Sequence, residues 1–186
     1  MNRTQARGPG WFGGRAAVAI RQAHPEDMPA ISDFFARLSD QTRYLRFFGP
    51  VTPGAALLRT LSGGAENVDA LVAVRGGDVV GHAMAADRDG PRGTRVTDVG
   101  VVVGDAWQGR GVGAALMRAL VTGAQARGVA VLEMDVLYAN HPVLAMITGH
   151  WPAARVGHTP DCVTIRVRLP QHNTSPAPVA PHLAIG

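Results

Sequence analysis

The stretch "VVVGDAWQGRGVGAALMRAL", residues 101–120, decides how the rest of the chain is read. Val101, Val102 and Val103 read as a buried strand, and AALMRAL carries apolar residues at helical spacing. Between them stand Gly109, Gly111 and Gly113, with Gln108 and Arg110 interleaved. Glycines before a helix either permit a tight entry or let something approach the backbone closely. A helix N-terminus exposes unpaired amides and the positive end of the macrodipole, which suits a phosphate-bearing ligand.

Outward from this unit, the chain alternates strand and helix signals. Residues 16–23, "AAVAIRQA", read as a first strand, and residues 24–39 as a helix with Met28, Ile31, Phe34, Phe35 and Leu38 on one face. "DQTRYLRFFG" restarts a helix with Asp40 as its cap, and "TPGAALLRTLSGG" is a third helical piece. "ALVAVRGGDVVGHAMAA" reads as a hairpin turning at Gly76-Gly77-Asp78. "TRVTDVGVVVG" is a longer strand, followed by the glycine turn and a helix over 112–127. "VAVLEMDVL", "HPVLAMITG" and "CVTIRVRL" continue as strand, short helix and strand. The reading is one mixed α+β domain over 16–169. A loose arm is expected at 1–15 and a Pro-rich disordered tail at 170–186.

Bulk properties narrow the function. At 186 residues the chain can bury a core without disulfides, and Cys162 is its single cysteine, read as a small core residue. No apolar run nears the roughly 20 residues of a membrane span, and the N-terminus lacks a signal-peptide core, so a cytoplasmic protein with no membrane partner is expected. All eighteen basic residues are arginine, for a net charge of +4. They are scattered and do not alternate with aromatics, so no nucleic-acid partner is expected. Seven dispersed histidines imply no metal site.

Two phosphate-binding motifs can be weighed against the glycine turn. A Walker A loop requires a lysine, and the chain has none. A dinucleotide fingerprint can be drawn from Gly109, Gly111 and Ala114 with Glu133 or Asp135, but Gly104 to Trp107 separate strand from turn, and a hairpin precedes the unit.

The whole string, Gln108-x-x-Gly111-x-Gly113 five residues after Val103, resembles the acyl-CoA-binding signature of the GNAT acetyltransferase superfamily. "IRQAHPEDMPAISDFFARLSDQTRYLRFFG", with Asp98 on a later strand, resembles the GNAT domain of bacterial Pat-type protein lysine acetyltransferases. The resemblance implies a mixed, mostly antiparallel sheet of about six to seven strands around a central β-turn-α-β unit. It also implies an acetyltransferase that takes acetyl-CoA as donor and acts on a primary amine, a protein lysine first and a small amine as the alternative. A homodimer is compatible with it. A third alternative is an acyl-CoA-binding sensor without chemistry.

The resemblance implies roles residue by residue. Pantetheine would pair with the backbone of the Val101–Val103 strand, and pyrophosphate would lie on the amides of Gly109, Arg110, Gly111, Val112, Gly113 and Ala114. Arg110 would add a charge-assisted contact, and Gln108 would either do the same or brace the turn. A backbone N–H near Val101 would stabilise the oxyanion. Asn140 would contact pantetheine or order its turn. Asp98 stands where Pat-type domains carry a catalytic glutamate. As a carboxylate it suits removal of a proton from an amine of pKa roughly 10.4, through a water because it is one methylene shorter. The alternative for Asp98 is a strand carboxylate that pairs with Arg95 or caps an edge. The tyrosine that many relatives supply from the last helix is missing, and Tyr138 precedes that helix. Arg43, Tyr44 and Arg46 either pack or face the acceptor groove, and Phe34, Phe35, Phe47 and Phe48 pack helices on the sheet.

Overall fold

The computed structural model describes residues 17–170. The expected arm at 1–15 and, except for Pro170, the expected tail lie outside the described residues. Seven strands form one sheet: β1 (Ala19–Gln22), β2 (Val68–Arg75), β3 (Asp78–Asp89), β4 (Arg95–Val103), β5 (Val131–Leu137), β6 (Arg155–His158) and β7 (Cys162–Arg168). Their spatial order is β1-β2-β3-β4-β5-β7-β6, antiparallel throughout except for the parallel pair β4 and β5. Five helices accompany them: α1 (Met28–Ala36), α2 (Asp40–Phe47), α3 (Ala55–Leu61), α4 (Val112–Ala126) and α5 (His141–His150). The β2–β3 hairpin turns on Gly76 and Gly77, both with positive φ, the two-residue turn whose twist suits paired strands.

Strand alternation sorts the side chains into two layers. On one face, Ile31, Phe34, Phe35 and Leu61 of α1 and α3 pack on Ala70, Val72 and Val102. On the other, Leu116 and Leu120 of α4 pack on Leu71, Ala73, Ala83 and Ala85, while Met117 and Ala124 join Ile147 of α5 over Leu132, Met134, Val163 and Ile165. The crossover helix α4 is what allows β4 and β5 to run parallel.

Three local expectations are corrected. The cap of α2 is Ser39, whose hydroxyl accepts from the Thr42 amide at 3.2 Å; Asp40 is the first helical residue and pairs with Arg43. Phe48 does not pack: it closes α2 in the left-handed conformation with φ 61° and is exposed. The strand Arg155–His158 was not expected, because none of its residues is buried. Cys162 is buried, as expected, against the Thr159 hydroxyl.

Candidate active site

The parallel pairing of β4 and β5 is short. It joins Val96 to Val131, Thr97 to Leu132 and Asp98 to Glu133, and stops. Beyond that point β4 runs on to Val103, still paired with β3 from Val99↔Ala85 to Val103↔Gly81, and β5 runs on to Leu137, paired with β7. The two strands part, and the edge of β4 that bears Val101, Val102 and Val103 faces the gap. Backbone N–H and C=O groups on such an edge can pair with an extended ligand.

The wedge leads to the glycine turn. After Val103 the chain makes a one-turn helix, Asp105–Trp107, and enters α4 through Gly109 (φ 68°) and Gly111 (φ 82°), both left-handed. Gly111 is the cap of α4 and has no side chain to satisfy the first amides, so those of Val112, Gly113 and Ala114 have no intrahelical acceptor. A Cβ on Gly109 or Gly111 would meet nothing within 4 Å, so open space rather than packing surrounds them. Arg110 and Arg75 both lie over the Trp107 ring, at 5.3 and 4.7 Å, which gathers positive charge beside the helix start. Gln108 braces the turn: Nε2 donates to the Val103 carbonyl at 3.1 Å and to the Thr42 hydroxyl at 3.2 Å.

A network missed in the sequence ties this turn to α2. The Asp105 carboxylate accepts from the Ser39 amide (2.9 Å), the Ser39 hydroxyl (2.6 Å) and the Thr42 hydroxyl (2.7 Å). Burial alone would raise the Asp105 carboxyl, but these donors outweigh it and hold the group below its ordinary value.

Asp98 stands at the last rung of the β4–β5 pairing, on the α1–α3 face, with half of its side chain exposed. Its partner is Arg88, at 2.9 Å, and Arg88 also reaches Glu133 at 2.8 Å; Glu133 pairs in turn with Arg166. Arg95 instead reaches Asp87 and the Arg127 carbonyl. Two grooves lie nearby, of about 790 Å³ beside Arg37, Arg75, Asp105 and Trp107, and about 460 Å³ beside Asp40, Arg43 and Tyr44; Asp98 lines neither. No group of three metal-ligating side chains exists among the described residues, and none of their helices is long and apolar enough to cross a membrane.

The sequence model of the acetyltransferase (GNAT) family matches residues 34–148, which takes in α2, the whole wedge and the glycine turn. The chain belongs to the GNAT acetyltransferase family. A curated relative, the L-amino acid N-acetyltransferase AaaT of Escherichia coli (strain K12), is 31% identical over 104 residues, which cover 56% of this chain and 62% of that protein. The match thus spans less than two thirds of the relative's length. The GNAT domain of S. lividans PAT shares the fold with a TM-score of 0.73 at 24% identity, over 82% of this chain and 90% of that one. The structure of yncA from Salmonella typhimurium, solved with its cofactor acetyl-CoA, superposes with a TM-score of 0.65 at 19% identity, over 87% and 99% of the two chains.

The remaining residues singled out in this GNAT chain fall in different places. Asn140 precedes α5, half-buried, with its amide on the Leu137 carbonyl and its carbonyl taking the Leu144 amide. Tyr138 is turned away from the wedge: its hydroxyl donates to the Thr159 carbonyl at 3.0 Å and its ring stacks on His158. Arg43 and Tyr44 line the smaller groove, whereas Arg46 turns inward onto β4.

Proposed function

We propose that this GNAT chain transfers an acetyl group from acetyl-CoA to a primary amine in the wedge between β4 and β5. The observation that supports this most is the parting of the two strands beside an uncapped helix start. The residues present suit the donor. The Val101–Val103 edge is ready to pair with the pantetheine arm, and the amides of Gly109 to Ala114, with Arg110, suit the pyrophosphate. Asn140 lies at the far side of the gap, where β5 ends. Acetyl-CoA brings an activated thioester, and the reaction exchanges its C–S bond for a C–N bond, releasing a thiol.

Asp98 serves the acceptor. An ammonium must lose a proton before its nitrogen lone pair can attack, and a carboxylate at this strand position takes that proton, directly or through a water. The N–H groups of β4 around Val101 are placed to stabilise negative charge on the carbonyl oxygen. Tyr138 is not used, being tied to the turn before β7. A protein lysine, the acceptor implied by the likeness to Pat-type domains, and a free small amine present the same nucleophile to this machinery.

Thiol release from acetyl-CoA, measured with panels of proteins and of small amines, tests the reading. Acceptor-dependent release is expected. Tight acetyl-CoA binding with no release from any acceptor would replace the enzyme with a sensor, and absence of binding would remove the donor site.

A further inference from the structure

Arg46 presents a half-buried cation with no anion beside it among the described residues. It lies in the last turn of α2 and crosses to β4, where its guanidinium lies flat on the backbone at Gly100. A Cβ at Gly100 would sit 2.6 Å from one terminal nitrogen, 2.7 Å from the central carbon and 3.0 Å from the other nitrogen. Only glycine leaves room for it. Nε is enclosed and has no hydrogen-bond partner, and no carboxylate among the described residues pairs with the guanidinium. The Phe47 ring, 5.1 Å away, gives a cation–π contact, and His82 on the same face of the sheet offers no charge, because burial pushes its pKa down to about 4. Burial also pushes Arg46 down to about 10, so it remains cationic at neutral pH.

A partly desolvated charge, with one nitrogen enclosed and unpartnered, is costly unless something pairs with it. The fold does not supply the anion here, and the place is the acceptor end of the wedge. Gly100 lies two residues from Asp98 on the same strand face, and a strand rises about 3.3 Å per residue, so the two Cα atoms are roughly 7 Å apart. The donor's pyrophosphate is assigned to a turn nine residues further on, so the anion meant for Arg46 belongs to the acceptor. Two terminal nitrogens in one plane match the two oxygens of a carboxylate.

We infer that Arg46 is the carboxylate receptor of the acceptor site, and that the acceptor is therefore an amine with a carboxylate on the neighbouring carbon, an α-amino acid. This rests on the wedge being the acetyl-transfer site. A carboxylate held at Gly100 places an amine one carbon away beside Asp98, within two hydrogen bonds of about 2.8 Å each. A lysine side chain brings no anion near its amine, and a protein N-terminus carries an amide where the carboxylate would be.

The experiment compares each L-amino acid with its amino amide, as acceptors for thiol release by the full chain with acetyl-CoA. An acid is expected to exceed its amide by about tenfold to a hundredfold in kcat/KM, the range for a hydrogen bond to a charged group. Arg46→Gln is expected to bring that ratio close to one, Arg46→Lys to retain part of it, and Gly100→Ala to lower it by displacing the guanidinium. Melting curves confirm that each variant folds. Equal rates for acids and amides, an unchanged ratio in Arg46→Gln, or a lysine peptide preferred over every free amino acid would each overturn the inference while leaving acetyl transfer intact. If no acceptor releases thiol, transfer itself fails. Calorimetric titration of the CoA-loaded protein with the same acids and amides then decides the inference alone: selective binding of acids supports it, and equal or absent binding overturns it.

Discussion

Asp98 keeps half of its side chain in water while Arg88 holds one of its oxygens. The pair is too exposed to stabilise the fold by much, so Arg88→Ala should change the unfolding free energy by less than about 1 kcal/mol, read from denaturant titration. Asp98→Asn keeps the shape and removes the proposed base. Its kcat should fall by roughly a hundredfold to ten-thousandfold, with the affinity for acetyl-CoA unchanged in calorimetry. A loss of acetyl-CoA binding instead would place Asp98 in the donor site. A lone carboxylate in an apolar strand made Asp98 visible in the sequence. Its partner was not visible, because the nearer arginine, Arg95, is three residues away and strand alternation puts it on the opposite face. Arg88 reaches Asp98 only through the β3–β4 register, which sets Ala86 across from Asp98 and so brings Arg88 to the same face. Arg46 could be read as packing or as facing the acceptor; only the backbone at Gly100, bare of a side chain, shows where it goes.

Among the elements, α4 joins fold to site. Its inner face buries Leu116 and Leu120 completely, so Leu120→Ala should cost about 2–5 kcal/mol of stability. Its start behaves differently. Gly111→Ala meets no atom within 4 Å, so its penalty is that of the left-handed backbone, about 1–2 kcal/mol, while the added methyl stands where a phosphate would approach. A modest loss of stability with a much larger loss of acetyl-CoA affinity is the expected signature; equal losses would mean that the turn is merely structural. The unit β4–turn–α4–β5 is legible because a valine strand, three glycines and an apolar helical repeat follow in order, with only Gly104 to Trp107 between strand and turn. The α2 cap lies one residue before the expected Asp40, since Ser39 and Asp40 are both good cap formers and only the Ser39 bond to the Thr42 amide separates them. Strand β6 escapes because it has no buried face and is held by pairing with β7 and by His158 against Tyr138.

For the molecule as a whole, acid should be more damaging than the surface charges suggest. His82 is fully enclosed, with Nε2 2.7 Å from the Leu61 carbonyl. Its pKa falls from 6.5 to about 4 on burial. Between those values the unfolded chain binds a proton that the folded chain refuses, so stability is complete above pH 6.5 and declines as the pH falls to about 4. The loss from this group is on the order of 3 kcal/mol, and His82→Gln should flatten the melting temperature over that window. Arg46→Met should act in the opposite sense, keeping the apolar stem, removing an unpaired, partly buried charge and raising the melting temperature by ~2–4 °C. Apart from β6, the order of strands and helices across residues 17–170 is readable from period and punctuation. Which side chains cross between layers was not, because those contacts depend on register.

The knot of Ser39, Thr42, Asp105 and Gln108 joins the turn before α4, proposed for the donor, to α2, which carries the Arg46 proposed for the acceptor. On that proposal, a donor seated on the glycine turn would stiffen α2 through these bonds. Linkage is reciprocal: if the donor tightens the hold on the acceptor by some factor, the acceptor tightens the hold on the donor by the same factor. Two sites coupled in this way would fill in concert, and cutting Thr42 out of the knot would leave two guests who no longer notice each other.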